Sequence, residues 1–319
     1  MATRPTTTTT PRADIMGALE MTTTGFVPIG PQILTPWATK NKRGSLPQIP
    51  IAALTHLPDT KRKPKSGANR TTWEYGELTY ANVTHAHEEL DNEEESAEYS
   101  DYFNYEVVAA KRGVDIINRR LEYDTVAALH NTTTFTGATG TLAVTNEWDD
   151  ATNAVPITDV TAGMEAIRGK CGMTADTLQI SWTTWRDLSV CNQIRNALQY
   201  TKMPDGFIPL DALAGALGVK RVICPGDGNV YNSANMGLTA VLSEIWTAEY
   251  AFLCVTNQSP DISAPCIGRT FNWAGGGGMM EVDSYEEPQT ESQVIRAKSC
   301  REPNVFSAAF GFLFSNITT

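Results

Sequence analysis

FNYEVVAAKRGVDIINRRL, residues 103–121, places Phe103, Val107, Ala110, Val114, Ile117 and Leu121 at steps of 4, 3, 4, 3 and 4. Those steps put six apolar side chains on one stripe of an α-helix, because residues three and four apart share a face. The pattern predicts a helix over residues 96–129. At ~1.5 Å per residue it would be roughly 50 Å long, more than most compact enzymes need and suited to a spine or a coiled coil. Gly113 weakens it by only about 1 kcal/mol. Residues 71–110 hold 11 acidic side chains and no Lys or Arg, with Glu93, Glu94 and Glu95 just ahead of the helix. Negative charge there complements the partial positive charge of a helix N-terminus, although a merely solvated face would have the same composition.

Toward the N-terminus the pattern dissolves. Residues 1–58 combine a threonine run and many prolines with scattered apolar anchors, among them Phe26, Ile29, Ile33, Trp37, Ile49, Ile51 and Leu54, and show no sustained period. Such a stretch reads as an extended arm whose apolar residues dock on another surface, since it cannot build a core of its own. KRKPKSGANR at 61–70 is a basic, turn-rich strip, and TTWEYGELTYANVTH at 71–85 alternates like a hairpin ribbon.

Toward the C-terminus, a Thr/Gly-rich loop leads into a mixed α/β module over 145–265. Pro156 opens a helical pattern, TLQIS is a strand, WTTWRDLS and CNQIRNAL are helical, and residues 208–217 form a short helix ended by Gly218. VKRVIC and IWTAEYAFLCV read as apolar strands. Beyond residue 271, MMEVDSYEEP, ESQVIRAKSC and VFSAAFGFLF suggest at least three strands closing a sheet around the spine.

Composition narrows the chemistry. A chain of 319 residues with 41% hydrophobic content can bury a core, and 40 threonines favour sheets over an all-helical fold. Its net charge of -11 divides into +7 over residues 1–70 and -18 over 71–319, which disfavours tight DNA binding while leaving two surfaces of opposite sign. Six cysteines at irregular spacing carry no zinc or redox motif and read as small buried side chains in a reducing compartment. Neither end has an apolar run long enough to cross a bilayer, giving the expectation of a soluble protein with no membrane partner. The four histidines lie outside the α/β module. His85 and His87 share a strand face and with Glu88 or Glu89 are the one candidate for a metal-dependent enzyme, but no third ligand is evident. Gly275–Gly278 lacks a phosphate-loop Lys and PGDGN at 225–229 lacks calcium ligands, so both read as turns. No catalytic residue, cofactor or metal is assigned.

Several segments in fixed order carry a family resemblance. NEWDDATNAVPITDVTAGMEAIRG, LDALAGALGVKRVIC, IWTAEYAFLCV and GRTFNWAGGGGMMEVDSYEEPQTESQVIRAKSC, together with the arm, the charged ribbon and the long helix, resemble the major capsid protein of tailed, double-stranded DNA bacteriophages over nearly the whole chain. The resemblance implies an α+β fold: an N-terminal arm (1–58), an extended β-hairpin loop (59–84), a peripheral domain with the spine helix (85–145) completed by return strands (266–319), and an inserted mixed α/β apical domain (146–265). It implies a structural protein, not an enzyme, that assembles with itself as hexamers and pentamers around packaged DNA without gripping it. Such a protein sits in the virion capsid, is assembled in the host bacterial cytoplasm, and has a portal and in some relatives a scaffold, a maturation protease and decoration proteins as partners. A tail or decoration protein is the alternative within the structural class. Charge patterning nominates Lys61, Arg62, Lys63 and Lys65 of one subunit to meet Glu88, Glu89, Glu93, Glu94 and Glu95 of the next, setting register more than affinity.

Overall fold

A computed structural model of the chain describes residues 10–11, 26–64, 67–92, 94, 104–199, 206–232, 241–259, 261 and 264–318. In chain order its elements are β1 (Thr10–Pro11), α1 (Gly30–Ile33), β2 (Pro36–Thr39), β3 (Arg43–Gln48), α2 (Ile51–Leu54), β4 (Gly76–Ala81), β5 (Val83–Asn92), α3 (Tyr105–Leu129), β6 (Thr141–Ala143), α4 (Pro156–Cys171), β7 (Thr177–Gln179), α5 (Trp182–Val190), α6 (Asn192–Leu198), α7 (Leu210–Leu217), β8 (Arg221–Ile223), β9 (Val230–Asn232), β10 (Leu242–Glu244), β11 (Ala251–Cys254), β12 (Gly268–Trp273), β13 (Glu281–Glu287), β14 (Ser292–Val305) and β15 (Gly311–Ser315).

The spine is α3. Asn104 caps it by accepting a hydrogen bond from the Val107 amide at 3.3 Å, and Glu106 sits in its first turn, where the helix dipole favours a negative charge. The predicted residues 96–103 lie outside the described part. Its buried face runs through Ala110, Gly113, Ile117, Leu121, Thr125 and Leu129, with Val107 and Val114 at its half-buried margin. Gly113 is on that face: a Cβ there would lie 3.3 Å from the Ala297 Cβ, so the missing side chain lets helix and sheet approach.

The sheet under the spine is built on β14. This long strand pairs antiparallel with β5 over Ser292–Arg301, with β13 over Ser292–Lys298 and with β12 over Arg301–Val305. Ile295 and Ala297 of β14 and Val282 of β13 pack against Ala109, Ala110 and Ile117 of the helix. The arm contributes two strands, β2 parallel to β12 and β1 antiparallel to β13. A second sheet, in the order β6-β15-β11-β7-β8, is covered on one face by α4, α6 and α7 around Trp148, Val160, Ile167, Leu213, Leu253, Phe312 and Phe314. On its other face Phe252 and Leu313 meet Phe26, Ile29, Ile33 and Leu34 of the arm and Leu129 of the spine. Successive side chains of a strand point to opposite faces, so Phe312 and Phe314 serve one core and Leu313 the other. Trp148 is fully buried and donates its indole N–H to Asp159 at 2.9 Å. α4 starts at Pro156, as predicted, and α4 and α7 end on the left-handed glycines Gly172 and Gly218. All six cysteines are free thiols, four of them buried.

Three sequence expectations change. The ribbon is not a hairpin of residues 71–85: β4 pairs with β3 of the arm, from Arg43↔Ala81 to Gln48↔Gly76, while β5 turns away to pair with β14. Of IWTAEYAFLCV only residues 251–254 are strand, because Ile245 and Trp246 leave the sheet to fill the core between arm and spine. The return block 266–319 is divided between the two sheets, since β15 lies between β6 and β11, away from the sheet under the spine.

A buried carboxyl joins these parts. Glu122, on α3, accepts the Gly30 amide N–H at 2.7 Å and the Trp246 indole N–H at 2.8 Å, and none of its surface reaches solvent. A Cβ on residue 30 would stand 2.9 Å from the Glu122 Oε1 and 3.1 Å from the Thr125 Oγ1, so the arm can dock there only through glycine. Burial pushes the Glu122 carboxyl up to about 7, against the opposing pull of its two hydrogen bonds and of Arg301. Arg301 is buried as well and donates to the carbonyls of Ile117 at 2.6 Å and Met279 at 3.2 Å; burial brings its pKa down to about 10.

Two outcomes follow from this packing. Phe314→Ala should destabilise the isolated subunit by about 3–5 kcal/mol in urea unfolding, the cost of emptying a core aromatic site; a loss below ~0.5 kcal/mol would mean that the C-terminal strand is not in that core. Glu122 holds its proton in the folded chain up to about 7 but in an unfolded chain only up to its ordinary 4.5. Its contribution is therefore fully present below pH 4.5 and is lost as pH rises to about 7, a fall on the order of 3 kcal/mol. The wild-type stability minus that of Glu122→Gln should drop by that amount across the window; parallel pH profiles would refute the buried acid.

Candidate assembly surfaces

The arm is fixed to its own subunit at one end and projects at the other. Phe26, Ile29, Ile33 and Leu34 are buried, the Arg119 guanidinium lies 5.2 Å from the Phe26 ring centre, and the Gln32 carbonyl accepts from Arg221 at 2.9 Å and Gln258 at 2.7 Å. Past β2 the chain leaves this support. β3 and β4 form a two-stranded ribbon anchored by the buried Tyr80, whose ring sits 5.0 Å from that of Phe271. The segment between the two strands carries Leu54, Leu57, Trp73 and Tyr75 with 65%, 91%, 49% and 62% of their surface exposed. Beside the ribbon's base is a mostly apolar cleft of about 680 Å³ lined by Leu46, Ile49, Leu54, Leu78, Phe306 and Phe310. Exposed apolar side chains of the connecting segment thus lie beside an apolar recess that the same segment partly lines, through Ile49 and Leu54.

The charged residues predicted to bridge subunits divide into distinct groups. Lys61, Arg62 and Lys63 are exposed on the loop, and Lys65 lies outside the described residues. Glu88 and Glu89 are engaged within the subunit. Glu88 lies 3.7 Å from Arg296, its cross-strand partner, while Glu89 lies 3.4 Å from Arg112 of the spine and 2.9 Å from His87. Glu94 is exposed and its amide donates to Asn92, and Glu93 and Glu95 fall outside the described residues. His85 approaches Asp124 at 4.0 Å, and among the described residues no group of three His, Cys, Asp or Glu side chains is placed to hold a metal. No described helix is long and apolar enough to cross a membrane.

Sequence reading missed one charged cluster. Asp283 on β13 receives hydrogen bonds from Arg296 at 2.6 and 2.9 Å and from Lys298 at 3.1 Å across the β13–β14 register. Burial raises the Asp283 carboxyl, but these bonds outweigh it and hold the group below its ordinary value. The spacing of Arg296 and Lys298, two residues apart on one strand face, was a visible signal; the identity of the opposing strand was not.

No protein-family model and no curated protein matches the sequence. The fold does have solved counterparts. A phage-related protein from Bordetella bronchiseptica RB50 superposes with a TM-score of 0.71 at 17% identity, covering 97% of this chain and 98% of its own. The capsid of cyanophage P-SCSP1u gives 0.58 at 8% identity over 92% and 89%, and the mature capsid of bacteriophage PhiM1 gives 0.55 at 9% over 92% and 89%. The chain has the α+β fold of tailed-phage capsid proteins.

Proposed function

We propose that the chain is the major shell subunit of a tailed phage, assembling as hexamers and pentamers into an icosahedral capsid around double-stranded DNA, with a structural and no catalytic role. The observation that carries this reading is the pairing of an exposed apolar loop with an apolar cleft on the same subunit. Exposed apolar side chains beside an apolar recess are covered by another copy of the chain, and a repeated head-to-tail contact of that kind generates rings when the rotation closes. Covering each large apolar side chain contributes roughly 1.5–3 kcal/mol, so Leu57, Trp73 and Tyr75 supply the driving force. The near-complete overlap with capsid subunits supports the same reading.

In this reading residues 1–58 are the arm, whose β3 pairs with β4 of the extended loop at 59–84. Residues 85–145 and 266–305 make the peripheral domain, and 146–265 with β15 the apical domain. The basic loop residues Lys61, Arg62, Lys63 and Lys65 meet the acidic run Glu93, Glu94 and Glu95 of the next subunit, Glu88 and Glu89 being paired internally. Exposed pairs of this kind contribute about 0–1 kcal/mol each and act on register and salt response more than on total affinity. A net negative subunit also suits a wall that must release DNA, since strong counterion-release binding would oppose packing and ejection. The same role brings a portal as partner, with scaffold, maturation protease or decoration proteins where the particle uses them, and places the product in the virion after assembly in the host cytoplasm.

The full chain expressed alone should give capsomers or closed shells by negative-stain microscopy and a matching fast-sedimenting species. A discrete monomer at every concentration would overturn the shell reading. The Lys61, Arg62, Lys63 and Lys65→Glu combination should lower assembly yield at low salt and flatten its salt dependence; wild-type yield with wild-type salt dependence would remove the charge pairing while leaving the shell reading intact.

A further inference from the structure

The junction of arm, spine and second sheet turns on a buried titratable group. Glu122 accepts the Gly30 amide N–H through Oε1 and the Trp246 indole N–H through Oε2, and both donors are neutral. The nearby Arg301 guanidinium of β14 is committed to the carbonyls of Ile117 and Met279. A protonated carboxyl keeps an accepting lone pair on each oxygen and satisfies both N–H groups without bringing a charge into the core. An ionised one adds a buried charge that neutral donors only partly offset.

The two donors differ in how freely they can leave. Trp246 is fully buried in the cluster of Leu129, Phe252 and Leu313, with the His130 ring centre 5.5 Å from its own. Gly30 belongs to α1, a single turn whose Gln32 is exposed and whose remaining polar ties, from Arg221 and Gln258 to the Gln32 carbonyl, are open to solvent. Lifting α1 therefore hydrates Glu122 at less cost than displacing Trp246. Phe26, Ile29, Ile33 and Leu34 are buried, so the docked arm stays the majority state and the carboxyl sets how often it opens.

We propose that Glu122 is a pH-operated latch for the arm: as the carboxyl ionises, the α1 segment lifts from the spine more often and lets water reach the charge, while β2 stays paired with β12 and the second sheet stays folded. Burial raises the docked carboxyl to about 7, and once hydrated it returns to its ordinary 4.5. The docked state thus binds the proton more tightly, and its advantage, fully present below pH 4.5, is lost as pH rises to about 7. The other charged or titratable groups around the junction are Arg301 from β14, His85 from β5, Arg119 and Asp124 from α3, and His130 just after it; Gly30–Leu34 carries none. Burial lowers both histidines, His130 to about 4, so they discharge ahead of Glu122, and Arg301, brought down to about 10, keeps its charge. The inference is independent of the shell reading.

Amide hydrogen exchange on the full chain, corrected for the intrinsic pH dependence of exchange, tests it. The amides of Gly30, Gln32 and Leu34 should show an opening constant at least about tenfold above that of Val294–Ala297 in β14, because the arm opens without global unfolding. From about pH 5.5 to about pH 8 the arm constant should rise roughly 25-fold. Glu122→Gln should keep the excess of arm over β14 and lose the rise. Arm and β14 amides with equal opening constants, or a wild-type arm constant that does not rise, would overturn the proposal, and both are read on the wild type if the variant fails to fold. A rise of wild-type size in Glu122→Gln would overturn it as well.

Discussion

A single carboxyl group, that of Glu122, is buried where three distant stretches of chain meet, and the placement of arm, spine and second sheet follows from satisfying it. Removing a carboxyl from water is costly unless it is hydrogen-bonded. Here the donors come from the arm at Gly30 and from Trp246, ahead of β11, so neither can move without orphaning a buried acid. The apolar cluster around Phe26, Ile29, Leu129, Phe252 and Leu313 then closes over the same junction. Burial supplies the stabilisation and the carboxyl supplies the register.

With the arm fixed at that point, the remainder of the N-terminal segment has a defined direction. β2 continues alongside β12, and the chain then runs on as the β3–β4 ribbon, which stays tied to the body where Gln48 donates to the Phe306 carbonyl, the Ala81 amide donates to Glu302 and Asn304 donates to the Thr79 carbonyl. Long projections of this kind are poorly stabilised by their own contacts, which is consistent with the exposed Leu57, Trp73 and Tyr75. The charges of the sheet under the spine serve a different end: Glu88, Asp283, Arg296 and Lys298 link β5, β13 and β14 within the chain.

Local signals were legible wherever the responsible atoms are close in sequence. The 4-3-4-3-4 apolar spacing located α3, Pro156 marked the start of α4, and Gly218 the end of α7. Pairing partners were less accessible. Residues 71–85 alternate like a hairpin ribbon, yet β4 takes its partner from β3, on the far side of a loop that no period spans. VFSAAFGFLF showed its strand character but not its sheet, since Phe312 and Phe314 would fill any apolar core of suitable depth. Glu122 offered no signal at all. Within the helix it reads as one more solvated acid, and its partners are 92 and 124 residues away. Asn229 is similar: in PGDGN it reads as a turn residue, and only the fold buries its unpaired amide.

By itself the sequence determined the spine helix, several local elements after it, the charge division between arm and body and, through the order of its segments, the resemblance to tailed-phage capsid proteins. These are properties of residue spacing and composition, which local sterics and hydrophobic periodicity impose on any chain that carries them. Tertiary structure alone decided which strand pairs with which, which acids are used inside the subunit, and where the buried carboxyl and the unpaired amide come to rest. Those outcomes depend on competition among distant surfaces for the same partners, and burial resolves that competition only when the whole chain is folded.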